Sequence, residues 1–540
     1  MNKNKQALYI IVVGIAIVAG MAIGHLFSFN DAKKINYSLS KKDKLDNLFR
    51  YLREEYVDTI STDSIVDKVI KDVLKNLDPH SSYIPKQDVE KAEEELDGEF
   101  TGIGVLFQNF RDTFTIIRPL ENSPAQKAGL KAMDRILKVN DDTIFGKHLI
   151  ISNITSKIKG KVGSKLKLTI YRKTNDSIFE VELTREKLPI TSVPAHFMIN
   201  DSIGLIKIET FSADTYDEFD SALKDLKQKG LKQLILDLRD NTGGLVKQAD
   251  LIADEFLKNG KLIFFTKDKK GKIVKAVATS RGRFEEGQVY VLINERTASA
   301  SEIVSGALQD NDRASIVGRR SFGKGLVQRE MQLGDGSIVR LTTARYYTPT
   351  GRSIQKPYQK GHIKEYEQQY ENRMYNGELY NKDSIPINDS LKFTTPGGRT
   401  VYGGGGITPD IFVPIQTGRY AEMMYMGRYI SDFITEYIDK NIKKLDTIPE
   451  NNFVADDKIG DELYKAFAKK HATRKKHVHS ARVKKKKLFF KRLLKAYLAR
   501  DLYGNNTFYK ILFEDDPMVK KIIDTMLEEN KVEQQTYDQS

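Results

Sequence analysis

A serine-rich turn between an apolar run and a helical pattern is the first candidate for chemistry. It covers residues 294–303 and includes Ser299 and Ser301. A serine at a helix N-terminus lies beside unpaired backbone N–H groups and the positive end of the helix dipole. Both favour the anion that forms when a hydroxyl attacks a carbonyl carbon. Ser299 is therefore a candidate nucleophile, although on local sequence alone a simple N-cap role is the better interpretation.

A lysine between two glycines is the second candidate. Gly323, Lys324 and Gly325 follow a short apolar strand pattern and its turn. Flanking glycines let the backbone approach other segments closely, and a lysine shielded from water loses its proton more easily. A lysine with a pKa lowered to about 7 to 8 can act as general base toward a serine hydroxyl. The alternative is a solvated lysine in a flexible surface turn.

A polar turn with two adjacent glycines is the third candidate. It covers residues 237–244 and ends with Gly243 and Gly244, directly after a buried strand pattern. Its backbone N–H groups could help to form an oxyanion hole. From the glycines alone, an ordinary strand-ending turn is an equally good interpretation.

The region that must position these three segments alternates between strand and helix patterns, which predicts an α/β layered domain over residues 188–416. A polar stretch rich in Tyr and Asn at about 356–400 is predicted to be a surface insertion. The predicted strands are 203–208, 234–238, 262–265, 289–293 and 316–317, and the predicted helices include 247–257 and 301–308.

A β-rich module precedes this domain, over residues 98–187. Short β patterns occur at 104–107, 113–117, 135–139 and 166–171. The residues at 100–105 and 122–140 resemble a bacterial PDZ domain. The resemblance implies that the loop of Gly102, Ile103, Gly104 and Val105 offers backbone N–H groups to the terminal carboxylate of a peptide, while the adjacent strand edge pairs with its tail.

The N-terminal part is predicted to contain a membrane anchor and a helical region. Residues 7–29 form an apolar stretch that would span about 34 Å as a helix, enough for a bilayer core. Lys3 and Lys5 precede it and no small-residue cleavage site follows, so residues 1–29 are interpreted as a cytoplasmic tip and an uncleaved anchor. Residues 30–97 are predicted to be helical, with a break at 77–85 where Pro79 and Pro85 interrupt regular structure.

The charge of the chain is concentrated near its end. The formal net charge is +14, and residues 469–500 hold 14 Lys or Arg without any Asp or Glu, so the rest of the chain is neutral overall. Residues 417–540 are predicted to be a helical basic extension with an amphipathic helix after Lys484. Lipid or an acidic partner is favoured over nucleic acid, and a solvated helix face is the default. The absence of Cys excludes thiol catalysis and disulfides.

Two other interpretations of the catalytic segments were weighed. Residues 318–324 nearly match a phosphate-binding loop, but Gly325 stands where that loop needs Ser or Thr to hold magnesium. The two Ser-x-x-Lys spacings at 156–159 and 164–167 would suggest a penicillin-binding enzyme, but they lie within the PDZ-like module and no Lys-Thr-Gly motif follows them. A third hypothesis is a binding scaffold in which the PDZ-like module captures peptide tails and the α/β domain is catalytically inactive.

Together the segments resemble the carboxyl-terminal processing peptidases, or tail-specific proteases, which combine a PDZ domain with a Ser/Lys catalytic domain. The resemblance covers about 43–414. Its motifs are Leu-Asp-Pro-His-Ser at 77–81, the PDZ-like module, residues 237–244, 297–302 and 322–325, Tyr-Tyr-Thr-Pro-Thr-Gly-Arg-Ser at 346–353, and Gly-Ile-Thr-Pro-Asp at 406–410.

The resemblance implies a role for each catalytic residue. Ser299 is expected to be the nucleophile, Lys324 the general base and Gln328 the residue that orients the lysine, while the backbone N–H groups of Gly243 and Ala300 form the oxyanion hole. Glu302 also fits the family pattern, and its expected role is only to position the helix. The expected activity is that of a serine endopeptidase, without metal or organic cofactor.

The expected partners follow from the same resemblance. Substrates are proteins or peptides with apolar carboxyl tails, and an adaptor or activator protein and oligomer formation are left open. No nucleic-acid partner is expected. The anchor places the body of the chain outside the cytoplasm, on the periplasmic side of the inner membrane if the source is Gram-negative. The overall expectation is a multidomain α/β protein with an anchor, a helical region, a PDZ domain, a peptidase core and a helical extension.

Overall fold

The computed structural model describes residues 12–21, 41–473 and 485–538. It divides into two compact units, residues 1–72 and 73–540. In the first unit, residues 12–21 are helical, helix α1 spans Lys41–Glu54, and helix α2 spans Thr62–Lys75 and ends just inside the second unit. Most of the predicted anchor lies outside the described residues. In the described ranges, no helix combines the length and apolar character needed to cross a bilayer.

The second unit begins with the segment that contains the predicted break. Strand β1 (Ser82–Ile84) lies within it, and helix α3 (Lys86–Asp97) starts directly after Pro85, which takes the N-cap position. Helix α3 ends at Gly98, whose left-handed backbone suits glycine. Strand β2 (Glu99–Gly102) then pairs with β9 (Glu186–Pro189), so the two ends of the PDZ module meet in one antiparallel ribbon.

The PDZ module is an antiparallel sheet that packs on a helix. Its core contains Phe114, Ile136 and Leu168 from the sheet and Ile154 from helix α5, all fully buried or nearly so. The strand order is β3-β4-β5-β7-β8, with β6 added beside β5. The elements are β3 (Val105–Phe110), β4 (Thr113–Pro119), α4 (Pro124–Lys127), β5 (Arg135–Val139), β6 (Asp142–Thr143), α5 (Ile151–Ile158), β7 (Lys165–Arg172) and β8 (Ser177–Thr184).

The peptidase domain is built on a six-stranded sheet in the order β10-β11-β12-β15-β16-β21. Strand β10 is antiparallel to β11, and the other neighbouring pairs are parallel. Its central strands are continuous apolar runs because helices cover both faces. The strands are β10 (Ala195–Met198), β11 (Ile203–Lys207), β12 (Gln233–Asp237), β15 (Gln288–Ile293), β16 (Ser315–Gly318) and β21 (Ile411–Phe412).

The two faces of this sheet are covered by different parts of the chain. One face packs on helices α6 (Thr215–Gln228), α7 (Val246–Asp254) and α8 (Ala300–Asp310). The other face packs on Phe513, Met518 and Ile522 of the C-terminal extension. The extension therefore supplies the third layer of the peptidase domain, which the sequence did not indicate.

A second sheet lies beside the first and contains the predicted strand at 262–265. It has the order β1-β18-β13-β14, with β17 also paired to β18. The structure has a strand here, and a buried apolar run alone does not identify the strands with which it pairs. The strands are β13 (Leu262–Asp268), β14 (Ile273–Val277), β17 (Leu326–Gln332) and β18 (Ile338–Tyr347).

The segment predicted as a surface insertion is partly buried. It contains helix α9 (Ile363–Tyr375), two short 3-10 turns (Lys382–Ser384 and Asp389–Leu391) and the ribbon of β19 (Lys392–Thr394) and β20 (Thr400–Tyr402). Tyr366 and Arg373 of α9 are 4% and 8% exposed. Arg373 donates to the backbone carbonyl of Ser321 and to Glu378, so helix α9 supports the loop that leads to Lys324.

The C-terminal extension is a helical layer that also contacts the PDZ sheet. Phe453, Phe467 and Phe490 form its core, and Ile117 and Met133 of the PDZ module pack into the same cluster. The apolar face of the predicted amphipathic helix is therefore covered by protein. The helices are α10 (Thr417–Leu445), α11 (Glu450–Ala455), α12 (Asp457–Thr473), α13 (Lys487–Tyr503), α14 (Asn505–Phe513) and α15 (Pro517–Asp538).

Candidate active site

Ser299 occupies the sharp turn between strand β15 and helix α8. It is the N-cap of α8, and its backbone has φ +57° and ψ −116°. A positive φ costs a non-glycine residue on the order of 1 to 3 kcal/mol, so such a conformation persists only where the surroundings enforce it. The hydroxyl is attached at the N-terminal end of an eleven-residue helix, where the dipole favours negative charge.

Glu302 joins this turn to the lysine loop. Its carboxylate is fully buried and accepts the backbone N–H groups of Ser299 and Lys324 on the same oxygen, each at 2.9 Å. The other oxygen accepts the N–H of Gly323 at 2.7 Å and the hydroxyl of Ser321. Burial raises the pKa of Glu302, although these hydrogen bonds oppose the shift. One carboxylate therefore holds the backbones of both candidate catalytic residues.

The side chain of Lys324 is held by Gln328. The amine donates to Oε1 of Gln328 at 2.9 Å, and Nε2 of Gln328 donates to the backbone carbonyl of His80. Gln328 thus connects the lysine to the Leu-Asp-Pro-His-Ser segment. Burial lowers the pKa of Lys324, and the positive charge of Arg340 lowers it further, whereas the carboxylates of Glu302 and Asp78 oppose the shift. A lowered pKa is what a lysine general base requires.

His80 and Asp78 hold the Leu-Asp-Pro-His-Ser segment at the site. Nε2 of His80 bonds the hydroxyl of Tyr366 at 2.8 Å, and burial, followed by the charge of Lys324, lowers the pKa of His80 to about 4. Burial raises the pKa of Asp78, but hydrogen bonds from Ser81, His80 and Thr342 outweigh it and hold that pKa below its ordinary value. The segment is therefore a buried support for Gln328, a role that its sequence did not reveal.

The two backbone N–H groups assigned to the oxyanion hole differ in whether they already donate a hydrogen bond. Ala300 is the first residue of helix α8, and its N–H donates to no acceptor in the described part of the chain. Gly243 lies against the nucleophile turn, since a Cβ built on it would be 2.7 Å from Cβ of Ser299. The N–H of Gly243, however, donates to Oδ1 of Asn241 at 2.9 Å. Gly243 can bind an oxyanion only by sharing or breaking that bond.

The loop that carries Gly243 supports the nucleophile turn directly. The carbonyl of Asn241 accepts the N–H of Ala298 at 3.0 Å and the hydroxyl of Ser301 at 3.1 Å, on either side of Ser299. The carbonyl of Leu238 accepts the hydroxyl of Thr297 at 2.9 Å. The hydroxyl of Ser301, the other serine of this turn, is thus bonded to the loop that carries Gly243.

The predicted tail-binding loop lies between strands β2 and β3. Gly102 ends β2 and Val105 begins β3, whereas Ile103 is fully buried in the PDZ core. Gly104 has φ +74°, and a Cβ there would lie 2.2 Å from Cβ of Ser123. Strand β3 pairs with β4 and, in the described ranges, with no other strand.

Across the described residues, no group of three or more His, Cys, Asp or Glu side chains could hold a metal ion.

The fold and this site define a multidomain hydrolase class, in which an α/β domain carries a serine with positive φ at a helix N-terminus, joined through the buried carboxylate of Glu302 to a half-buried lysine. The model described as Peptidase family S41 matches residues 202–364, and the model described as PDZ domain matches residues 101–183. A model described only as a family of unknown function matches residues 420–504, within the extension.

Two curated relatives, both serine or carboxy-terminal-processing proteases, agree with this class. A "Probable CtpA-like serine protease" from Staphylococcus aureus (strain bovine RF122 / ET3-1) is 34% identical over 361 residues, which are 65% of this chain and 71% of that protein. A "Carboxy-terminal-processing protease" from Bartonella bacilliformis is 34% identical over 316 residues, 58% of this chain and 72% of that protein. The solved "Photosystem II D1 C-terminal processing protease" is 24% identical over 69% of this chain and 86% of that chain, with a TM-score of 0.36.

The chain belongs to the carboxyl-terminal processing peptidases of peptidase family S41. It is a serine peptidase with a PDZ domain. The resemblance stated from the motifs is thereby confirmed. The roles of individual site residues remain predictions.

Proposed function

We propose that this chain cleaves proteins near their carboxyl ends with a Ser299/Lys324 dyad through an acyl-enzyme. Ser299 attacks the peptide carbonyl, Lys324 takes the hydroxyl proton and returns it to the leaving amine, and water then hydrolyses the ester. Gln328 orients the amine of Lys324. The observation that carries the proposal is the shared carboxylate of Glu302, which ties the backbones of Ser299 and Lys324 together.

The oxyanion of the tetrahedral intermediate is assigned to the backbone N–H of Ala300, with that of Gly243 as second donor. Ala300 supports the proposal because its N–H is one of the orphan donors at the start of α8. Gly243 requires the bond to Asn241 to be given up or shared, so substrate binding is expected to move this loop slightly.

Tail recognition is assigned to the PDZ domain, with apolar carboxyl tails as the substrate class. The loop of Gly102 to Val105 would take the carboxylate, and the free edge of β3 would pair with the tail. The left-handed backbone at Gly104 and its close approach to Ser123 indicate that this loop has one fixed conformation, which a carboxylate-binding loop requires.

The tail assignment predicts a selective effect of Gly104→Ala. The new Cβ would collide with Ser123, so we expect KM for an unstructured protein with an apolar free tail to rise about tenfold, a loss of about 1.4 kcal/mol in binding. Cleavage of a short amidated peptide should stay the same. Gly129→Ala is the matched control, because Gly129 also has φ +74° but has open space at its Cβ. Equal losses in both variants would refute tail capture by this loop.

The dyad predicts a rise of kcat/KM with pH. Only the neutral amine of Lys324 accepts the proton of Ser299, and its lowered pKa places the rise below the ordinary lysine value of about 10.4. Replacing Arg340 with Met removes a positive charge, so the pKa of Lys324 and the whole rise should move to higher pH. The measurement is a pH profile of peptide cleavage.

Two other groups near the site need controls in that profile. His80, with its pKa lowered to about 4, stays neutral over the whole range. Lys356 is buried. Burial lowers its pKa to about 8, and the positive charges of Arg373 and Arg320 contribute to this shift. Lys356→Met should keep the rise in place. If Lys356→Met abolishes the rise and Arg340→Met leaves it unmoved, Lys324 is not the base.

We also propose that residues 7–29 anchor the chain in a membrane with its body outside the cytoplasm, on the periplasmic side if the source is Gram-negative. The support is the sequence, in which these residues include no Asp, Glu, Lys or Arg. Release of the full-length chain from membranes by an alkaline high-salt wash would contradict the anchor.

A further inference from the structure

The C-terminal extension reaches the loop that supports the nucleophile turn. Nη1 of Arg239 donates to Oδ2 of Asp516 at 2.7 Å, and the guanidinium lies 5.2 Å from the ring centre of Phe513. Arg239 belongs to the loop of residues 237–244, whereas Phe513 and Asp516 lie at the junction of helices α14 and α15. Both partners of the ion pair are largely buried, with side chains 13% and 14% exposed.

Arg239 is also fixed within its own loop. Nε and Nη2 donate to the two carboxylate oxygens of Asp237 at 2.9 and 2.8 Å. Asp237 ends strand β12 and is fully buried. Two carboxylates thus hold the guanidinium in one orientation: one anchors it to the end of the sheet and the other to the extension. Such charge-assisted forks fix geometry more firmly than single neutral hydrogen bonds.

The consequence for the site follows along the next residues. Asp240 donates its N–H to the side chain of Asn294, at the start of the nucleophile turn, at 3.0 Å. Asn241 follows directly, and its carbonyl holds Ala298 and Ser301 around Ser299. The position of Arg239 therefore sets the start of a loop whose next residues contact both sides of the nucleophile.

We propose that Asp516 is a positioning residue of the peptidase site, acting through Arg239 on the loop that holds Ser299 and carries Gly243. The inference rests on the proposed Ser299/Lys324 mechanism. It assigns to the end of the extension a part in the reaction itself, in addition to covering one face of the sheet.

The structure offers variants that separate this role from a merely structural one. Oδ1 of Asp516 accepts the N–H of Met518 at 2.9 Å and of Val519 at 3.2 Å, so Asp516 also caps helix α15. Asn caps a helix as well as Asp does, whereas Glu is a poor cap. Asp516→Asn therefore keeps the cap and removes the charge, and Asp516→Glu keeps the charge and weakens the cap.

The experiment measures kcat, KM and Tm in full-length protein with a short fluorogenic apolar peptide whose carboxyl end is amidated, so that the PDZ tail site is not needed. Asp516→Asn should lower kcat about tenfold with KM unchanged and Tm nearly kept, since loss of a whole oxyanion donor costs on the order of 10² to 10³ in kcat. Asp516→Glu should lower Tm more and kcat less.

The control is Asp461→Asn, which breaks an ion pair of 2.8 Å to Lys491 inside the extension, away from the loop. It should leave kcat unchanged. The inference is overturned if kcat follows Tm across the three variants, or if Asp516→Asn is as active as the parent. Ser299→Ala in the same assay separates the two proposals: parent activity that does not depend on Ser299 removes the proposed mechanism and this inference with it.

Discussion

Replacing Ser299 or Lys324 with Ala should each reduce kcat/KM for a peptide by at least about 10⁴-fold, because removal of one member of a nucleophile and base pair loses nearly all of its joint contribution. Either change removes side-chain atoms beyond Cβ and leaves the backbone bonds to Glu302 in place. The double variant should be no worse than either single one. The measurement is single-turnover cleavage of an apolar peptide.

The controls for this result lie in the same elements. Ser305→Ala removes another buried hydroxyl of helix α8, one that bonds the carbonyl of Ser301 at 2.8 Å, and should keep most of the activity. Arg329→Ala changes a long basic side chain on strand β17, next to Gln328 in sequence, and should also be tolerated. Activity that persists in both Ser299→Ala and Lys324→Ala would remove the dyad from the mechanism. Loss in Ser299→Ala alone would require another base.

Glu302→Gln should affect both rate and stability. The carboxylate of Glu302 accepts four hydrogen bonds, two on each oxygen. The amide of Gln has only one oxygen, so its NH₂ group would face the two donors that bonded the second carboxylate oxygen. With about 1 to 3 kcal/mol lost for each of two unsatisfied buried donors, the free energy of unfolding should fall by about 2 to 6 kcal/mol. The rate per folded enzyme should fall at least about tenfold, because Ser299 and Lys324 are no longer held by one group.

The matched control for Glu302→Gln is Asp310→Asn at the other end of helix α8. Asp310 is also fully buried and pairs with Arg352 at 2.6 Å. This variant should lose comparable or greater stability and keep the rate per folded molecule, as measured by denaturant unfolding alongside active-site titration. If the two variants lose rate in equal proportion, Glu302 is only a structural residue of the helix.

The sequence was sufficient for the domain order and for the strands that flank the site. Strands β11, β12, β15 and β16 are apolar runs covered on both faces, so their patterns were clear. The pattern of Ser299 and Glu302, spaced as in a capping box, carried the signal for the carboxylate that joins the two loops. A capping box predicts only local bonds, and Gly323 lies far away in sequence, so this pattern alone does not reveal the connection between the two loops.

The remaining contacts join segments that no local pattern relates. Tyr366 is buried and shares a hydrogen bond of 2.8 Å with Nε2 of His80, a residue 286 positions earlier in the chain. Because no local pattern relates Tyr366 to His80, the sequence predicted a surface insertion at about 356–400. Similarly, the amphipathic pattern of helix α13 predicted a buried face but could not say that the partner was the protein itself rather than a lipid surface.

The packing of Ile117 and Met133 into the helical extension decides whether the PDZ domain of this chain can be exchanged for another one. A PDZ domain is ordinarily an interchangeable module with a polar outer surface. Here the outer sheet face shares an apolar core with the extension, and Arg135 pairs with Asp439 of helix α10 at 3.2 Å. A foreign PDZ grafted at residues 98–187 would expose that core. An exchange of the PDZ domain in this chain would therefore have to include the helices that pack on it.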